Sequence, residues 1–403
     1  MVQQDWNLIS SYAGLLSLAT FSVYAGSFGS LKTLPKPRDV TTSKDDSEDE
    51  DEEDMPDRLS SSDALLFPII GSVVLFGLYL VVKFLGVEWI NWVLGWYFTI
   101  AGVGSVWKCS ISICKSSFGP KRWSNFHKWR LLVRKGPEEL ITLSIRTPSL
   151  VLFVPSIIPS FLYTYQPGPK KSALLTDILA LSFSHNALSI MKLDTFQTGI
   201  ILLSGLFLYD IWWVFGTEVM VKVATSLDAP IKILWPKSYV FSPDGGFTML
   251  GLGDIVIPGM FVSTALRYDL SKSAHKDPRQ PFAKPYFHPA LTAYVLGLAA
   301  TMAVLHVFGA AQPALLYLSP ACILSFLVTA ITKGEIRDAW KWKDEAEASS
   351  DDGAAKSYPK SGPGASEGSN TMSADLDGAA NDGNDGGGSN GIRKRNHTGT
   401  AGN

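Results

Sequence analysis

Two aspartates lie inside long apolar stretches of this chain, Asp210 in GIILLSGLFLYDIWWVFG and Asp254 in FTMLGLGDIVIPGMFVSTAL. A carboxylate at the centre of a bilayer costs about 3 kcal/mol or more, so an intramembrane acid marks a functional site by default. Two carboxyls brought together cannot both ionise cheaply and come to share a proton. One can then take a proton from water while the other hydrogen-bonds the carbonyl under attack, the roles exchanging as the amine leaves. That is aspartic-protease chemistry carried into a membrane. The same pair could instead carry protons in a transporter or channel, or sit idle in a scaffold that binds membrane proteins.

The elements that must hold these acids are legible as apolar runs. Nine are long enough to span, at residues 8–29, 64–85, 90–107, 149–165, 173–191, 197–216, 247–266, 287–308 and 313–331, against the ~20 residues needed for a ~30 Å hydrocarbon core. Mean hydropathy is only +0.14 because polar segments dilute the apolar ones. The expected fold is therefore an all-α polytopic membrane protein of about nine transmembrane helices. The first run has Asp5 and no Lys or Arg before it, which is unlike a removable signal peptide.

Charge placement orients the bundle. With Met1 on the luminal or outer side, 28 of the 35 Lys and Arg fall in cytosolic segments and 5 in outer ones, as the positive-inside rule requires. The N-terminus is then luminal and the C-terminus cytosolic. In that arrangement the sixth span runs outward and the seventh returns. Asp210 is about 9 Å from its outer end at Gly216, and Asp254 about 10 Å from Phe247, at 1.5 Å per residue. The two carboxylates are expected at matching depth.

Gly251 and Gly253 bracket Leu252 just before Asp254 and leave the backbone accessible where a substrate strand could approach. Pro313, at the start of the last span, lacks an N–H and is expected to leave a helical carbonyl free. Tyr209-Asp210, Gly251-Leu252-Gly253-Asp254 and Pro313-Ala314-Leu315 occur in this order and on these spans. In this the chain resembles the GxGD intramembrane aspartyl proteases of the presenilin-like superfamily. The surrounding segments LFLYDIWWVFGTEVMV, MLGLGDIVIPGMF and QPALLYLSPAC look like the signal peptide peptidase branch rather than presenilin.

The resemblance covers the chain from about the second span to Glu335. It implies Asp210 and Asp254 as catalytic residues, Pro313-Ala314-Leu315 as an active-site element, and no metal or other cofactor. It implies substrates that are type II transmembrane segments, chiefly remnant signal peptides, cleaved in the endoplasmic reticulum membrane. A homo-oligomer and partners from quality control in that compartment stay open. The terminal GTAGN carries no dilysine retrieval signal. No large luminal domain is expected before the first span, which disfavours the peptidase-like relatives that possess one.

The remaining segments divide into a first helix (1–30), an acidic cytosolic loop (31–63), helices two to five (64–191, with a basic loop at 115–148), the catalytic helices (192–335) and a cytosolic tail (336–403). The run DDSEDEDEEDMPD at 45–57 and the Gly/Ser/Ala/Asp/Asn-rich chain from about 345 onward are expected to be disordered. Gly364-Ala365-Ser366 in that tail has no positioned His and is read as noise, and the sequon at Asn396 lies on the cytosolic side. The basic segment 115–135 either lies along the anionic leaflet, with Trp123, Phe126 and Trp129 at headgroup level, or is a topogenic loop. Nucleic-acid binding is not expected beside a membrane.

Cys109, Cys114 and Cys322 match no metal or redox spacing, and no HExxH occurs among the six histidines. His185, Asn186, His306 and Glu218 are read as helix–helix or interfacial groups, with a proton relay as the sharper alternative. Asp177 and Asp194, at span ends, are given no role. Tyr209 is divided evenly between positioning the neighbouring acid and packing. Trp212 and Trp213 are expected to pack against lipid or helices.

Overall fold

Backbone N–H and C=O groups have no partners in hydrocarbon, so spanning segments must satisfy their own, which a helix does. The computed structural model describes residues 2–31, 58–119, 122–123, 125–135, 138–166, 172–226, 229–237, 246–274, 278, 280–308 and 312–344. The acidic run, the sequon, Gly364-Ala365-Ser366 and the chain from 345 lie outside them. In chain order the helices are α1 (Val2–Gly29), α2 (Ser61–Leu85), α3 (Val87–Phe118), α4 (Thr147–Tyr165), α5 (Ala173–Ile190), α6 (Phe196–Phe215), α7 (Val219–Ser226), α8 (Gly253–Lys272), α9 (Phe287–Phe308), α10 (Leu315–Thr332) and α11 (Ile336–Lys341).

Nine of these are long. Seven, namely α1, α2, α4, α5, α6, α9 and α10, are also apolar enough to cross a membrane. Residues such as Val73, Ile100 and Val307 stand exposed on the outer faces, where a bilayer would cover them. The helix α8 is less apolar because protein surrounds it. It packs against α1, α5, α6, α9 and α10, and buries Arg267 and Asp269 along with its apolar residues. Close approach of α6 to α8 depends on Gly199, where a Cβ would meet the Phe261 ring at 2.7 Å.

The strands form three pairs: β1 (Arg58–Leu59) parallel to β4 (Lys192–Leu193), β2 (Lys128–Lys135) antiparallel to β3 (Glu138–Arg146), and β5 (Lys232–Pro236) antiparallel to β6 (Phe247–Gly251). One of them corrects a sequence expectation. The seventh apolar run is not one helix from Phe247, because residues 247–251 are extended and pair with 232–236. The first residues of the basic segment continue α3 to Phe118 and its last form β2. Trp123 is buried, its carbonyl accepting from Arg146 Nη1 at 2.8 Å, whereas Phe126 and Trp129 are exposed.

Residues 336–344, expected to belong to the tail, instead clasp the bundle. Trp342 packs on Phe196 and Tyr268 with ring centroids 5.8 and 5.4 Å away. Gln197 Nε2 donates to Trp340 O at 3.0 Å. Asp344 pairs with Arg267 Nε at 2.9 Å, and its carbonyl accepts from Arg58. Its N–H donates to Asp194 O at 2.8 Å.

Candidate active site

Asp210 sits on α6, five residues before Phe215, and is 5% exposed. The α6 helix opens with Thr195 as N-cap, whose side chain accepts from Thr198 N. This satisfies one of the N–H groups a helix start leaves unpaired. Oδ2 of Asp210 accepts the backbone N–H of Leu315 at 3.2 Å.

That donor is free because Leu315 opens α10, with Ala314 as its N-cap, and the first N–H groups of a helix have no partner within it. Pro313 lies outside the helix, so its missing N–H breaks no helical bond. Its carbonyl accepts from Leu316 N at 3.2 Å; the carbonyl four residues earlier, which the missing N–H was expected to leave free, lies outside the described residues.

Asp254 reaches the site by a different route. It is the second residue of α8, behind an N-cap at Leu252. The register pairs Lys232 with Gly251 and Trp235 with Thr248. Leu252 N then donates to Ile231 O at 2.9 Å, and Leu252 O accepts from Val256 N at 2.8 Å. Gly251-Leu252-Gly253 is thus the joint at which a strand ladder becomes a helix. Gly251 and Gly253 are exposed and Leu252 half-buried. A Cβ on Gly251 would lie 3.5 Å from Asp254 Oδ2, and one on Gly253 would meet nothing within 4 Å. Asp254 is half-buried at this joint.

The hairpin is itself held from two sides. Asp177 Oδ1, on α5, accepts the backbone N–H of Leu234 at 2.7 Å. Trp235 fits over Gly14 of α1, where a Cβ would fall 2.2 Å from the ring. Asp177 is half-buried and engaged, not the water-facing group without a role that its place near a span end implied. Its position as an acid inside an apolar run was the available signal. Tyr294, on α9, is fully buried, and its hydroxyl has no hydrogen-bond partner among the described residues.

Tyr209 faces away from the acids, toward α2. Its ring would lie 3.6 Å from a Cβ on Gly71 and stands 6.3 Å from the Trp213 ring. Trp213 Nε1 donates to Ser72 Oγ at 3.1 Å, and Trp212 is exposed. His185 bonds Ser112 Oγ at 3.1 Å, and Asn186 donates to Ser105 O and Oγ at 2.9 and 2.8 Å. His306 makes an edge contact with Tyr12, and exposed Glu218 pairs with Lys222. These are helix–helix and surface contacts, away from the two acids. Among the described residues no three His, Cys, Asp or Glu side chains gather into a metal-sized group.

The arrangement offers two carboxyls from different helices, one fixed by a backbone donor, beside an accessible stretch of extended backbone. A sequence profile of the family described as signal peptide peptidase matches residues 50–346. Signal peptide peptidase of Mus musculus is 37% identical over 342 residues, 83% of each chain. That of Homo sapiens is 36% identical over 364 residues, 88% of each. A probable intramembrane protease of Schizosaccharomyces pombe is 37% identical over 290 residues, 72% of this chain and 85% of its own.

Proposed function

The chain belongs to the signal peptide peptidase family and is a multi-pass intramembrane aspartic endopeptidase; from that premise we propose that Asp210 and Asp254 are its catalytic pair. The observation that carries the reading is the bond from Leu315 N–H, at the start of α10, to Asp210 Oδ2 on α6, with α8, which opens at Gly253-Asp254, packed against both helices. That bond fixes one oxygen of Asp210 and leaves the other for water and Asp254. One carboxylate takes a proton from water as its oxygen attacks the scissile carbonyl carbon. The other, protonated, donates to the carbonyl oxygen, giving a gem-diol. The amine then leaves with a proton, the C–N bond breaks, and the carboxyls return to their starting state.

A helical substrate keeps its amides bonded to itself, so the scissile stretch must unwind and find other backbone partners. Supporting this reading, β6 pairs with β5 on one edge and ends beside Asp254. An extended substrate added along the other edge would have its backbone bonded up to the catalytic carboxyl. We assign Gly251, Leu252 and Gly253 to that contact, Pro313, Ala314 and Leu315 to fixing Asp210, and Tyr209 to packing α6 on α2. The substrates we propose are transmembrane segments of type II orientation, chiefly remnant signal peptides, in the endoplasmic reticulum membrane. The charge distribution supports a luminal N-terminus.

The test is cleavage of a signal-peptide transmembrane segment by the purified chain in detergent, with Asp254→Asn alongside. Product from the wild type and none from the variant is expected. Equal cleavage by both would remove Asp254 from the chemistry.

A further inference from the structure

The lipid-facing side of α1 carries a trough that ends at a cation. Leu16, Thr20 and Tyr24 follow at four-residue spacing, which sets them on one helix face. With Ser17, Phe21 and, from α9, Val295 they line a shallow groove of about 460 Å³. The two hydroxyls in it are already used, Ser17 Oγ donating to Ala13 O at 2.8 Å and Thr20 Oγ1 to Leu16 O at 2.7 Å. The trough therefore offers carbon and no unmet polar group. From Leu16 to Phe28 the helix rises about 18 Å, against about 15 Å for half a hydrocarbon core.

Beyond Tyr24 the groove meets an aromatic cluster, in which the Phe28 ring lies 4.8 Å from that of Tyr24 and 5.8 Å from that of Phe287. Lys284 holds its ammonium over this cluster, 5.2 Å from the Phe28 centroid and 4.8 Å from that of Phe282. Ring faces attract a cation but carry no net charge to neutralise it. At the same end of the bundle Lys272 has the carboxylate of Glu335 at 2.5 Å. Among the described residues no carboxylate pairs with Lys284.

We propose that this groove is a site for one anionic phospholipid, an acyl chain lying from Leu16 to Tyr24 and the phosphate meeting the Lys284 ammonium. Charge decides the occupant. A transmembrane helix would fill the trough with carbon but leave the cation at its end unanswered. A phosphatidylcholine brings its own ammonium to compete with the lysine, whereas an anionic headgroup completes the pair. With the luminal N-terminus proposed above, Lys284 stands at the cytosolic leaflet, where anionic lipids gather. The bound lipid bridges α1 and α9, two of the helices that pack against α8. The site stands apart from the catalytic assignment of the two aspartates.

The experiment is native mass spectrometry of the purified chain in detergent with added dioleoyl phosphatidylserine or dioleoyl phosphatidylcholine, for wild type, Lys284→Gln and Ser17→Trp. Wild type should retain one phosphatidylserine per chain, about fivefold more readily than phosphatidylcholine, as for one lysine beside an anionic lipid surface. Lys284→Gln should lose that preference while melting and cleaving like wild type. Ser17→Trp fills the trough from an exposed position and should lower retention of both lipids, with cleavage kept as the sign of an intact fold. Equal retention of the two lipids by wild type, or an undiminished preference in Lys284→Gln, would overturn the site. Unaltered retention in Ser17→Trp would place the lipid elsewhere and overturn it too. Inorganic phosphate that displaces phosphatidylserine at equal concentration would make the ligand a free anion, and a wild-type dimer that Ser17→Trp splits would give the groove to a second copy; either result ends the lipid assignment.

Discussion

The backbone N–H of Leu315 lies 3.2 Å from Oδ2 of Asp210, joining residues 105 apart in the chain at the base of the site. A structural bond and a chemical group therefore share one carboxyl, and the two can be separated. Asparagine keeps an oxygen able to accept from Leu315; alanine does not. Asp210→Asn should lose at least a thousandfold in cleavage rate while melting near wild type. Asp210→Ala should be equally inactive and less stable by about 1–3 kcal/mol, the cost of an unmet buried donor. Thermal denaturation of both in one detergent measures the difference.

Asp177 acts at a distance from the chemistry. Its bond to Leu234 N ties the β5–β6 hairpin to α5. Asp177→Ala should leave that strand free to shift and lower kcat/KM about tenfold, through positioning alone. Asp177→Asn, which can still accept, should recover most of it. Steady-state cleavage by the two variants decides.

The clasp predicts a sharp boundary in truncations. Arg267 is 7% exposed, and its carboxylate partner comes from Asp344. Removing one partner of a buried pair costs about 3–5 kcal/mol. A chain ending at residue 335 should melt far below wild type. One ending at 346 should match it, since the contacts described above end at Asp344.

Glu335, just past α10, is bonded by Lys272 and Tyr286. The Lys272 ammonium foremost, with the Tyr286 hydroxyl, holds its carboxyl below the usual carboxylate range. A lowered folded value means stability present above the unfolded pKa of about 4.3 and lost as pH falls through the folded one. Wild-type melting should therefore drop more steeply than that of Glu335→Gln below about pH 4.5.

The helices were readable because burial in lipid forces long apolar runs, and the two acids because hydrocarbon makes them costly. The strand before Asp254 was not. Phe247 to Gly251 is short, apolar and continuous with the helix that follows, and periodicity cannot separate a buried strand from a buried helix over five residues. Its partner strand, moreover, comes from what reads as a polar loop. The helical rise on which the depth argument relied consequently applies to Asp210, inside its helix, but not to Asp254, which stands at the first turn of α8. Residues 336–344 escaped notice for another reason: Trp340, Trp342 and Asp344 are scattered through a charged stretch, and only the fold shows that they meet Gln197, Phe196, Tyr268 and Arg267.

The clasp also bears on the order in which the protein is made. Both aspartates are translated long before Leu315, and longer still before Asp344 meets Arg267. Until then Asp210 lacks its donor and α8 keeps a buried cation without its carboxylate. On the proposed reading of Asp210, a ribosome threading this chain into a membrane should deliver a site still lacking its backbone donor, and chains arrested before residue 315 should show no cleavage; the chain's own length would then serve as its delay.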